Sequence, residues 1–193
     1  GKLDSYSGRL TLRPVPSLEF QFSAGHLENP EAIEPGNQTR LSASVGYRKS
    51  LPGGFFAASL ILGRNQTEGG PEWGKLLEWT WKFADRNFIY GRLESVDRDF
   101  YELIHKRQRP EGVPGQRTRV DAGTLGYVRD VPWLGKVESG IGAGVTLYNF
   151  SSKLNSIYSR RPVSFQVFYR LRFGTHSGMA DDMPGMVHSH GSM

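Results

Sequence analysis

The sequence predicts an all-β chain: an antiparallel up-and-down transmembrane β-barrel with about nine strands present, as an incomplete part of a larger barrel. Three observations predict it: two-residue alternation that recurs along the chain, a near absence of helix signals, and connections that alternate between short and long. The alternation is clearest in Val163–Phe173, V-S-F-Q-V-F-Y-R-L-R-F. Phe165, Val167, Tyr169, Leu171 and Phe173 take every second position, with Gln166, Phe168, Arg170 and Arg172 between them. A strand sends successive side chains to opposite faces, so this segment is apolar on one face and mostly polar on the other.

In chain order, strands are expected over Leu3–Arg13, Ser17–Leu27, Thr39–Lys49, Phe55–Arg64, Lys75–Ala84, Asn87–Val96, Arg117–Arg129, Lys136–Phe150 and Val163–Phe173. In the second, Leu18, Phe20, Phe22 and Ala24 oppose Glu19, Gln21 and Ser23. In the third, Leu41, Ala43, Val45 and Tyr47 oppose Arg40, Ser42, Ser44 and Arg48. The fifth sets Leu77, Trp79, Trp81 and Phe83 against Glu78, Thr80 and Lys82. In the eighth, Ile141, Ala143, Val145 and Leu147 alternate with glycines and Thr146. That glycine series, Gly140-Ile141-Gly142-Ala143-Gly144, is not a phosphate loop, which needs a strand-to-helix turn. It reads as relief from crowding in a curved wall.

The connections around Pro14–Pro16, Leu51–Gly54, Asp85-Arg86 and Asp130–Gly135 are short. Those at Glu28–Gln38, Asn65–Gly74, Asp97–Gln116 and Ser151–Pro162 are long. Short turns on one side and long loops on the other are the outer-membrane pattern, with the short turns in the periplasm. Aromatics near strand ends (Tyr47, Phe55, Phe83, Tyr127, Tyr148, Phe150 and Phe173) fit interfacial girdles. The last strand then runs towards the periplasm, and counting back through nine strands starts the first at the outer surface. Single-chain bacterial barrels have even strand numbers with both ends periplasmic, so further N-terminal strands of the same protein are expected partners.

Composition narrows the function classes. There is no cysteine, hence neither disulfide nor thiolate metal site. The best apolar run, Phe55–Leu62, is far too short for a membrane helix. A mean hydropathy of −0.46 does not argue against a barrel, whose strands are only half apolar. The net charge of +5 is spread among acids, without basic helix, aromatic ribonucleoprotein motif or zinc-finger spacing. Nucleic acid is therefore not an expected partner.

Several stretches resemble one family of bacterial outer-membrane barrel proteins often encoded beside copper and heavy-metal resistance genes. They are residues 3–10 (LDSYSGRL), 22–31 (FSAGHLENPE), 40–45 (RLSASV), 63–65 (GRN), 126–130 (GYVRD) and 168–173 (FYRLRF). The resemblance implies an outer-membrane location in contact with lipid. It carries no catalytic residues to this chain, and none is expected. The aromatic-ended segment Phe165, Val167, Tyr169, Leu171 and Phe173 would engage the barrel-insertion machinery.

Two groups of residues suggest chemistry. Residues 174–193 read as a flexible tail after the 1–173 barrel, and every Met lies there (Met179, Met183, Met186, Met193) with His176, His188 and His190. Thioether and imidazole together suit Cu(I) or Ag(I), so these seven are the candidate metal ligands on the periplasmic side. The strand residues Glu19, Arg40, Glu78, Lys82, Arg92, Glu94, Glu138, Arg170 and Arg172 should line the lumen if their apolar neighbours face lipid. Two roles follow: a pore or transport component linked to copper handling, or a metal-binding accessory anchored by a non-conducting barrel. A hydrolase would draw on His105 with Asp97, Asp99 and Glu102, but no nucleophile with an orienting partner can be named.

Overall fold

The computed structural model describes residues 4–30, 36–67, 70–99, 103, 117–134, 137–151 and 161–172. Nine strands form one antiparallel sheet in strictly sequential order. They are β1 (Tyr6–Val15), β2 (Leu18–Leu27), β3 (Gln38–Leu51), β4 (Gly54–Thr67), β5 (Gly70–Phe83), β6 (Asn87–Asp99), β7 (Arg117–Leu134), β8 (Val137–Phe150) and β9 (Val163–Arg172). Each strand pairs only with its sequence neighbours, so the sheet is open and β1 and β9 are its edges.

Turn chemistry fixes the short end. Between β3 and β4, Pro52 takes the first central position and Gly53, with φ 69°, the second. That is a type II turn, in which a glycine supplies the positive φ without steric cost. Between β5 and β6, Ala84 and Asp85 both adopt positive φ, 46° and 59°. The Asp85 amide donates to the Gly53 carbonyl at 2.8 Å, tying these adjacent turns together.

One connection departs from the expectation. Residues 65–74 do not form a long loop: Thr67 pairs with Gly70, and β4 and β5 remain in register through Asn65–Glu72 and Gln66–Pro71. Polar residues, Pro71 and three glycines hide the alternation there. The backbone ladder continues nonetheless, because polar side chains on both faces are cheap where both faces meet water.

The register sorts the side chains into two faces. Among the described residues, all 22 large hydrophobics that stand exposed lie on the same face, from Tyr6 and Leu10 on β1 to Tyr169 and Leu171 on β9. Phe165 and Val167 on the β9 edge are each 80% exposed. The buried hydrophobics, Phe88 and Val128 at 4% and 3% exposure, lie on the opposite, polar face. A water-soluble sheet protein buries its apolar face; here that face is the outside.

The apolar face is also banded. Towards the long-loop end its positions turn polar at Thr39, Arg64, Lys75, Ser95, Asp121 and Asn149. Towards the short-turn end they do so at Lys49, Asn87, Arg129 and Ser139. Nine residues separate these rims on β3 (40–48) and β8 (140–148) and seven on β6 (88–94) and β7 (122–128); a tilted strand needs about nine to cross a hydrocarbon core. Tyr47, Phe83 and Tyr127 belong to this face, but Phe55, Tyr148 and Phe150 belong to the polar one and cannot join a girdle. Among the described residues no helix is long and apolar enough to cross a membrane.

Candidate functional site: the polar concave face

All nine charged residues singled out as lumen candidates fall on the polar face: Glu19, Arg40, Glu78, Lys82, Arg92, Glu94, Glu138, Arg170 and Arg172. They do not form a single cluster. Three levels can be distinguished from the short turns to the long loops.

At the short-turn level, Phe88 is the centre. The guanidinium carbons of Arg170 and Arg172 lie 4.8 and 5.7 Å from its ring centroid, and Lys82 Nζ lies at 5.5 Å. Asp130 pairs with Arg170 at 2.5 Å, and Glu138 with Arg172 at 3.3 Å. In a flat sheet β6 and β9 would stand about 14 Å apart, three strand spacings. Side chains that meet over that interval show that the sheet curls with its polar face concave. The buried ring contributes roughly 1.5–3 kcal/mol by burial, and each half-exposed ion pair less than about 1 kcal/mol. Elsewhere at this level Glu19 accepts from Arg13 at 2.5 Å and from Gln21 at 2.6 Å.

The middle level is built on glycine. A Cβ on Gly126 or Gly142 would overlap the rings of Tyr90 and Phe168 respectively, and one on Gly144 would stand 2.8 Å from the Tyr90 hydroxyl. Tyr90 therefore lies flat across β7 and β8 and accepts from Gln166 Nε2 at 2.9 Å on β9. The glycine series on β8 receives aromatic side chains, which is why nothing larger fits. Around it Thr124 and Thr146 hydroxyls meet at 2.8 Å, Glu78 accepts from Ser59 at 3.3 Å, and Arg92 pairs with Glu94 at 3.0 Å.

The long-loop level differs. Buried Gln38 (2% exposed) presents its Oε1 to Arg40 Nε and Nη2 at 3.2 and 2.8 Å and to Asn65 Nδ2 at 3.4 Å. Arg117, on β7, reaches the β4–β5 hairpin: it donates to the carbonyls of Gly70, at 2.7 Å, and Pro71, and lies 3.7 Å from Glu72. Across this level runs a trough of about 820 Å³. Its floor is one register row, Arg9–Ser23–Ser42–Gly63–Gly74–Val96, and the next row outward supplies Ser7, Gly25, Arg40, Asn65 and Glu72, with Arg98 on β6.

Sequence reasoning did not identify Phe88, Tyr90, Asp130 and Gln166 as members of one site. Their partners stand two or three strands away, and only curvature brings them together. Among the described residues no group of three or more His, Asp or Glu could hold a metal ion. The candidate ligands His176, Met179, Met183, Met186, His188, His190 and Met193 lie outside the described residues, as do Phe173, Glu102 and His105. Of the acids in the hydrolase reading, Asp99 ends β6 and Asp97 accepts from Arg119 at 3.1 Å and from the Trp73 amide at 3.1 Å. No family model, curated protein or solved structure matches this chain.

Proposed function

We propose that this chain is part of the wall of a bacterial outer-membrane β-barrel, with its apolar face against lipid and its concave face lining a polar interior. The single observation that supports this most is the sorting, among the described residues, of every exposed large hydrophobic onto one face that turns polar towards both ends of the sheet. In water such a face would be an aggregation surface; in a bilayer it is the solvent contact that strands require. The short turns gathered at one end of the sheet support a periplasmic position for that end.

Closing the wall needs further strands. With nine strands in up-and-down order, β1 and β9 run in the same direction. Joining them to each other, or to a second copy in the same orientation, would give a parallel seam. An odd number of added strands gives an antiparallel one and leaves no unpaired edge in lipid. The fuller barrel is read as a pore or transport component.

Refolding into phosphatidylcholine vesicles tests the membrane reading. Trp73, Trp79 and Trp81 all point outward from β5, so brominated acyl chains should quench much of the tryptophan emission. Folded protein that stays in the aqueous phase, with emission unchanged, would sink it. Conduction is a separate question, answered by single-channel recording of the barrel in planar bilayers: a silent, folded barrel favours an anchor over a pore.

A second reading concerns copper. All four Met lie beyond residue 173 with three of five His, a soft donor set suited to Cu(I). Titration with Cu(I) against a competing chelator should show tight binding that Met→Leu substitution at 183 and 186 weakens. No difference between the two proteins would remove the tail as a metal site.

A further inference from the structure

We propose that the trough at the long-loop end of β1–β6 binds an extended, hydroxyl-rich anion of the acidic-oligosaccharide class. The inference rests on the curvature and register of the sheet and does not require that the barrel conduct.

The charge balance comes first. The carboxylate that faces the trough, Glu72, is engaged by Arg117 at 3.7 Å, a cation outside the lining. The other lining acid, Asp97, belongs to the opposite face and pairs there with Arg119 at 3.1 Å. Both charges are thus met from β7. Arg9 enters from β1 and donates Nε to the neutral Ser23 hydroxyl at 3.1 Å, a bond that orients the guanidinium without cancelling its charge. Arg98 enters from β6, with its side chain exposed. Arginine stays protonated at any working pH and offers paired N–H donors that match a carboxylate.

Shape comes second. Arg9 and Arg98 stand five strand spacings apart, about 24 Å along the sheet. One small oxyanion cannot satisfy both, whereas a chain bearing several carboxylates can. Between them the floor is shallow. A Cβ on Gly63 would meet only the Gly74 carbonyl, at 3.9 Å, and one on Gly74 only Val96 Cγ1, at 3.8 Å. Bare backbone and the Ser23 and Ser42 hydroxyls give a hydrogen-bonding surface suited to sugar hydroxyls. The aromatic among the trough's lining residues, Trp73, belongs to the opposite face, so a single-stranded nucleic acid would find no stacking platform in the trough.

The test uses the full chain folded in detergent micelles, titrated calorimetrically with tetragalacturonate, maltotetraose and oligothymidylate. Tetragalacturonate should bind, with the neutral sugar at least about tenfold weaker; about tenfold is also the expected loss in Arg9→Ala and in Arg98→Ala, as for one charged hydrogen-bonding partner. Gly63→Leu fills the floor and should abolish binding while far-UV circular dichroism stays unchanged. Folded protein that binds no tetragalacturonate, or binds both sugars equally, overturns the proposal. So does tighter binding of oligothymidylate, or an affinity that the arginine substitutions leave untouched.

Discussion

On β7 and β8, Gly126, Gly142 and Gly144 of the concave face lie beneath aromatic side chains, whereas Gly63 and Gly74 on β4 and β5 lie beneath open space. The backbone around these glycines is the same in both regions, antiparallel and in register; the register shift in the β7–β8 ladder lies beyond them, between Val131 and Leu134. What differs is the residue one or two strands away. Tyr90 and Phe168 reach over Gly126, Gly142 and Gly144 and fill the concavity, while Ser42 on one side and Gly74 on the other leave Gly63 hollow. Glycine in a curved wall thus makes room, and its neighbours decide whether that room becomes packing or cavity.

This contrast can be broken by substitution, with stability read as the shift in urea unfolding of the folded protein in micelles. The largest loss is expected for Phe88→Ala, which empties the centre of the packed region: about 3–5 kcal/mol. A cost below about 1 kcal/mol would mean that the surrounding cations, and not the ring, hold this level together. Gly126→Ala should follow at about 1–3 kcal/mol, since the new methyl lifts Tyr90 off its shelf. Tyr90→Phe keeps the ring and removes only the acceptor of Gln166, for about 1 kcal/mol. The smallest effect belongs to Gly63→Val on the hollow side, within about 0.5 kcal/mol of the parent. Equal costs for Gly126→Ala and Gly63→Val would abolish the distinction between the two regions.

Much of the fold was legible in the sequence because alternation is a local signal. Leu41, Ala43, Val45 and Tyr47 fall on one face for a reason contained in their own segment, and nine expected strands meet nine observed ones. The ends were less legible. Asn65 to Gly74 read as a loop because outside the apolar band no face needs to be apolar, so a paired strand and a polar loop look alike. The site was legible only as a face. Glu138 and Arg172 are neighbours in the ladder, yet Arg170 over Phe88 and Gln166 against Tyr90 join residues 82 and 76 positions apart (170 − 88 and 166 − 90). Such pairings depend on curvature, which no single strand encodes.

The hairpin between Thr67 and Gly70 has a further consequence. Arg117 grips it through the main-chain oxygens of Gly70 and Pro71, atoms that every residue type possesses. The mooring nevertheless constrains its own anchor points: Gly70 has a φ of 103°, which other residues rarely adopt, and the Thr67 hydroxyl also accepts from Arg117, at 3.3 Å. A change at either position would loosen the hairpin from β7.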